Sequence, residues 1–231
     1  TNKTIGSDKM IKQNLHTHSI YCDGKDTIEA MALEAINKRF NVLGFSGHGN
    51  CRNVDDYSMD ENNTKKYIED VLAVKEKYQD QINIFLGVEQ DVLGQRFKKH
   101  DPYDYIIGSV HFVKAGDKYL AVDFSSDVTK EIVEYYGSFL NYAKSYFEEV
   151  KKIANMDEVD IVGHVDLLTK FNENEEFIKF DDPDYLKLAY NCIDQLLAKN
   201  KIFEVNTGAI ARGQRKTPYP HKTLLKYIYD H

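Results

Sequence analysis

Short apolar, β-branched segments recur along this chain with longer amphipathic stretches between them, and this alternation restricts the fold more than any other feature. Residues 10–16, 42–47, 82–89, 104–111, 160–165 and 201–207 read as strands. Between them the apolar residues take helical spacing. Ile28, Met31, Ala32, Ala35 and Ile36 follow a capping-box pattern of Asp26 and Glu29, and Tyr67, Val71, Val74 and Tyr78 repeat the period. One longer helical stretch is expected over 130–154. Asp182-Pro183 starts another helix, with a stripe of Tyr185, Leu188, Ala189, Cys192, Ile193, Leu196 and Leu197. Parallel strands need long crossovers, so this order predicts an α/β fold with a parallel sheet, either doubly wound or a barrel. The first strand–helix loop has no GxGxxG, which counts against a dinucleotide site.

No linker rich in Pro, Gly or Ser divides the 231 residues, and no repeat is present, so residues 10–231 are expected to form one domain behind a leader of residues 1–9. At 42% hydrophobic the chain is too apolar for disorder. It lacks a run of ~18 apolar residues that could span a membrane. The opening TNKTIGSDKM has no apolar core and is not a signal peptide. Cys22, Cys51 and Cys192 are scattered, with no CxxC pair, which suits a reducing compartment. The expectation is a soluble, cytoplasmic protein. Its net charge of −7, with no long basic run, argues against a nucleic-acid partner. The same charge would repel a small phosphorylated molecule unless bound divalent cations inverted it locally.

Barrel chemistry collects at the C-terminal ends of the strands, and each strand end here carries a metal-ligand type. The first ends in His16-Thr17-His18 with Asp23 in the following loop, the second at His48, the third at Glu89, the fourth at His111, and the fifth at His164 with Asp166 beyond. Alternate residues of a strand point the same way, so His16 and His18 can grip one ion. Imidazole and carboxylate donors suit Zn, Mn or Fe. A glutamate such as Glu89 can bridge two ions ~3.5–4 Å apart, the spacing used for in-line displacement at phosphorus. HxH alone is a weak signal; the convergence of five histidines on one rim carries the metal reading.

Several residues have plainer alternatives. Asp23 before Gly24 could instead make an Asx-type turn, Asp166 could cap a helix, and Cys22 could be a small buried apolar residue. His100, His221 and His231 read as surface residues. Arg212, or alternatively Arg215, in the loop after the sixth strand could clamp a phosphate through its guanidinium fork, and either could be a solvated loop charge. Tyr21, Asp91 and Tyr219 lie in candidate rim loops.

The segments NLHTHSIYCDG (14–24), GFSGHG (44–49), LGVEQDV (86–92), YIIGSVHF (105–112), VGHVDLL (162–168) and FEVNTGAIARG…PYP (203–220) resemble the polymerase and histidinol phosphatase (PHP) family, in its monofunctional histidinol-phosphatase branch. The resemblance covers nearly the whole chain after residue 10. It implies a distorted (β/α)7 barrel with two or three divalent ions at its C-terminal rim, held by His16, His18, Asp23, His48, Glu89, His111 and His164. Glu89 would be the bridge. The implied reaction is hydrolysis of L-histidinol phosphate to L-histidinol and phosphate in histidine biosynthesis. Metal chemistry would carry it by in-line attack of a metal-activated hydroxide, with Glu89 and, from its guanidinium chemistry, Arg212 as the catalytic candidates. It also implies a seventh strand bearing an Asp-x-His metal motif. This sequence stops at His231 without one, so a C-terminally truncated barrel is expected. Two other readings stand beside this one: a PHP phosphodiesterase or exonuclease acting on nucleotides, which would need a basic groove and stacking aromatics, and a metal-binding PHP domain without activity.

Overall fold

The computed structural model describes residues 11–51, 54–99 and 102–231. Met10 of the first expected strand and His100 lie outside them. Among the described residues ten strands form in chain order: β1 (Gln13–Asn14), β2 (Val42–Phe45), β3 (Asn83–Asp91), β4 (Lys98–Lys99), β5 (Pro102–Tyr103), β6 (Tyr105–Ser109), β7 (Phe112–Ala115), β8 (Lys118–Ala121), β9 (Ile161–Val162) and β10 (Ile202–Phe203). The helices are α1 (Ile28–Asn37), α2 (Glu61–Lys77), α3 (Ser126–Tyr136), α4 (Phe139–Lys151), α5 (Pro183–Leu197), α6 (Gly208–Ala211) and α7 (Lys222–Asp230).

The six strands read from the sequence become one parallel sheet in the order β1-β2-β3-β6-β9-β10. Sequential neighbours therefore pair, as the intervening helical crossovers dictate. The sheet curls into a half-barrel. His16, just beyond β1, meets Glu204, just beyond β10, at 2.8 Å, although these strands stand at opposite ends of the strand order.

Local chemistry sets the helix boundaries. Thr27, not Asp26, caps α1, its side chain accepting the Ala30 N–H at 3.2 Å. Asp60 caps α2 through the Asn63 N–H at 2.8 Å, and Lys75 and Lys77 complement the dipole at its end. The expected long helix over 130–154 is two helices. Gly137 adopts φ 77° and ends α3, and Ser138 then caps α4 by accepting the Asn141 N–H at 3.1 Å. A left-handed residue at that point favours glycine and stops the helix. Asp182-Pro183 starts α5 as expected. The antiparallel pair β7–β8 and the short pair β4–β5 were not read from the sequence.

The main core lies between the sheet and its helices, where Tyr67, Tyr142, Tyr146 and Tyr185 are among the largest fully buried side chains. A smaller cluster of Tyr105, Ile107 and Ile161, with Leu15 against it, fills the inside of the curl. Tyr105 makes the floor of that interior. A Cβ on Gly87 would lie 2.3 Å from its ring, and one on Gly44 would lie 2.3 Å from its hydroxyl. Strand alternation then carries the same inward face upward, from Tyr105 and Ile107 to Ser109 and from Gly87 to Glu89 and Asp91. The polar residues thus end at the rim. Among the described residues, no helix is long and apolar enough to cross a membrane.

Candidate metal centre

Register places the rim residues side by side. Glu89 pairs with Ile107 in the β3–β6 ladder, and His48 forms an isolated parallel bridge to Glu89 beyond the end of β2. Tyr67 holds these strand ends together from α2. Its buried hydroxyl donates to Gly87 O at 2.8 Å and accepts the Gly47 N–H at 3.4 Å.

Glu89 is the hub. Its side chain is fully buried, and all five rim histidines surround it. Oε2 lies 3.2 Å from His16 Nε2, 3.2 Å from His18 Nε2 and 3.1 Å from His48 Nδ1. Oε1 lies 3.3 Å from His111 Nε2 and 3.1 Å from His164 Nε2, and accepts the Ser109 hydroxyl at 2.6 Å.

The outer nitrogens of three rings have their own carboxylates. His16 Nδ1 meets Glu204 Oε2 at 2.8 Å, His18 Nδ1 meets Asp23 Oδ1 at 2.7 Å, and His111 Nδ1 meets Asp91 Oδ2 at 3.1 Å. An N–H at each Nδ1 is the tautomer these partners select, which leaves bare lone pairs on the three Nε2 atoms. Those lone pairs point at a carboxylate and, for His16 and His18, at each other across 3.1 Å. Glu89 Oε2 accordingly has no hydrogen-bond partner despite its buried position. Donors aimed at a common point with no proton between them fit a cation there.

The titration behaviour has the same origin. Burial disfavours imidazolium, yet the carboxylates outweigh it and raise His16 (Glu204 and Glu89), His18 (Asp23 and Glu89) and His111 (Glu89 and Asp91). Burial lowers His48, so that ring is a neutral donor. Burial also opposes ionisation of Glu89 and Asp23, but the surrounding rings hold both carboxyls well below the usual range. The cluster demands positive charge, which protons or metal ions can supply.

Three groups have ligand atoms all within 4.8 Å of one another: His16, Glu89 and His164; His18, Asp23 and His48; and His48, Glu89 and His111. Together they contain all seven residues read from the sequence as ligands. Glu89 and His48 each belong to two groups. Asp23 turns both oxygens toward histidines, with Oδ2 3.7 Å from His48 Nε2, and it is the most exposed of the seven.

Other sequence readings fare differently. Arg212 is exposed, and its Nη1 lies 3.2 Å from where a Cβ on Gly208 would stand, as does Asn206 Oδ1. Arg215 is buried instead, its fork occupied by Thr169 O, Thr169 Oγ1, Thr217 O and Thr217 Oγ1, with Glu173 at 3.2 Å. His221 is no surface residue: it is 8% exposed, stacked on Phe180 at 3.9 Å. Its backbone N–H donates to Asp166 Oδ2, so Asp166 fastens this loop and makes no side-chain cap. Asp91 is taken by His111, and the Tyr21 hydroxyl by Asp70. Tyr219 is buried, with its ring 6.5 Å from that of His164. Sequence reasoning missed Glu204, which looks like any strand glutamate, and the pair of Lys170 Nζ with Asp123 Oδ2 at 3.2 Å. Asp123 feels His111 and His164, which with Lys170 lower its pKa against burial.

A probable histidinol-phosphatase of Schizosaccharomyces pombe is 25% identical over 242 residues, spanning 93% of this chain and 75% of that protein. The histidinol-phosphatase of Bacillus subtilis is 26% identical over 183 residues, spanning 70% of this chain and 68% of its own. Among solved structures, the putative histidinol phosphatase of Listeria monocytogenes superposes with a TM-score of 0.82 at 21% identity, covering 95% of this chain and 91% of that one. The histidinol phosphate phosphatase of Lactococcus lactis, complexed with zinc, L-histidinol and phosphate, gives 0.62 at 19%, covering 88% and 75%. The half-barrel is thus the fold of these proteins, and residues 14–208 match the PHP domain. With that span covering most of its length and carrying every rim histidine, the chain belongs to the PHP domain family.

Proposed function

We propose that this protein is a metal-dependent phosphomonoester hydrolase that converts L-histidinol phosphate and water to L-histidinol and phosphate in the cytoplasm. The observation that carries the reading is the buried Glu89 carboxylate shared by two of three overlapping ligand groups. The names of the yeast and Bacillus relatives support the substrate, and the zinc, histidinol and phosphate in the Lactococcus structure support the chemistry.

In this reading His16, His18, Asp23, His48, Glu89, His111 and His164 hold two or three divalent ions, of Zn, Mn or Fe. Such ions polarise a phosphoryl oxygen and lower the pKa of water to about 7. The carboxylates of Glu89, Asp23, Asp91 and Glu204 ring the site, so two dications would neutralise them and a third would make the pocket positive within an acidic protein, which draws in a phosphate. Glu89 would be a ligand in two of the three groups, and the Ser109 hydroxyl fixes its Oε1. Arg212 closes on the phosphoryl oxygens from the α6 loop, whereas its buried neighbour Arg215 is already committed to Thr169 and Thr217. The bound phosphate is held for in-line displacement without a covalent phospho-enzyme. The three cysteines are free thiols, consistent with a reducing compartment.

The test is phosphate release by chelator-stripped protein resupplied with Zn, Mn or Fe, using L-histidinol phosphate beside a dinucleotide. Metal-restored turnover of the monoester supports the proposal. Preferential cleavage of the dinucleotide, or bound metal without turnover of any phosphomonoester, overturns it.

A further inference from the structure

Glu204 stands outside the three ligand groups, yet its two oxygens are divided between two members of one of them. Oε2 meets the His16 ring at Nδ1, at 2.8 Å, while Oε1 accepts the backbone N–H of His164 at 2.6 Å. His16 follows β1 and His164 follows β9, strands that are not neighbours in the sheet. One carboxylate therefore fixes the ring of one and the main chain of the other.

Glu204 is itself held. Its N–H donates to Val162 O at 3.2 Å, and Asn206 Nδ2 donates to its Oε1 at 3.2 Å. Asn206 is pinned in turn by a two-way backbone bridge to Tyr219 and by the Gly208 N–H at 2.9 Å. The carboxylate is largely buried, its side chain only 11% exposed.

We infer that Glu204 is a positioning residue for the ion held by His16, Glu89 and His164, selecting the His16 tautomer whose Nε2 lone pair faces the ion and tying the His164 backbone to the same carboxylate. The inference rests on the metal reading above. A carboxylate behind a metal-bound imidazole fixes its proton and orientation and makes it a better donor, and losing one typically weakens metal binding about 10- to 100-fold. Because Glu204 touches members of a single group, its loss acts on one ion and spares the groups built on Asp23 and His111.

The variant is Glu204→Gln, which keeps the shape and can still accept the His164 N–H through its amide oxygen. Its NH2 group would then face His16 Nδ1 and drive the ring proton to Nε2, where the ion belongs. The measurements are zinc stoichiometry and affinity by chelator competition, and the melting temperature of the metal-free protein. One zinc equivalent weakened about 10- to 100-fold, with the others and the metal-free melting temperature unchanged, is the expected result. Unchanged affinity at every site overturns the inference. So does an equal loss at all sites with a lowered metal-free melting temperature, which is the signature of a merely structural residue. A wild-type protein that binds no zinc would sink the functional reading itself, and the inference with it.

Discussion

Replacing Glu89 with glutamine removes the charge that the rim histidines share while keeping the shape of the side chain. In the metal-free protein Oε2 faces nitrogens of His16, His18 and His48 at 3.1–3.2 Å, and Glu89 helps to raise His16 and His18 toward imidazolium. Glutamine loses that attraction while its carbonyl keeps the Ser109 hydroxyl, so the metal-free variant should melt below the wild type. With metal the difference should widen. An ion present at 100 times its Kd stabilises the native state by about 2.7 kcal/mol. Glu89 serves two of the three groups, so about 5 kcal/mol of ion stabilisation is at stake, or ~10–20 °C for a domain of this size. Zinc titration of chelator-stripped Glu89→Gln, followed by thermal melting and metal analysis, should show that gain largely abolished with up to two equivalents lost. A variant that keeps the wild-type zinc content and thermal shift would refute the claim that this carboxylate is shared between ions.

Three further outcomes are expected. Arg212→Ala should lower kcat/KM for L-histidinol phosphate on the order of 10²-fold while metal content stays intact; unchanged kinetics would remove Arg212 from the site. Gly87→Ala places a methyl against the Tyr105 ring at 2.3 Å and should destabilise by about 1–3 kcal/mol, read as a lower denaturation midpoint. Glu158 accepts from Arg96 Nη2 at 2.8 Å and from Gln90 at 3.0 Å, and the Arg96 hydrogen bond, the leading cause, holds its carboxyl at about 2. A depressed carboxyl stabilises the fold above its ordinary pKa and loses that contribution as the pH falls toward the folded value. Wild type should thus melt above Glu158→Gln at neutral pH, with the difference narrowing below about pH 4.5; a constant difference would show that ionisation of Glu158 is not involved.

Much of this was legible in the sequence because its causes are local. Alternating faces and helical crossovers fix strand order, so all six sheet strands, and the rim histidines at their ends, could be placed from spacing alone. Other boundaries also carry local signatures. Gly137 followed by Ser138 is a stop and a cap, and dividing the helical stretch there gives α3 and α4. Gly116-Asp117 is the turn between β7 and β8, with Gly116 at φ 63°.

The chain on its own determined which donor types reach the rim, since period-two alternation sends Glu89 and Asp91 the same way regardless of what surrounds them. Only the folded molecule decided which atoms meet. His16 and Glu204 are separated by almost the whole chain, and they touch because the sheet curls. His221 and Arg215 look like loop residues in the sequence, but each is buried because a loop packed over it. Burial, and contact between distant residues, follow from how the curl closes, and residue spacing carries no record of that closure.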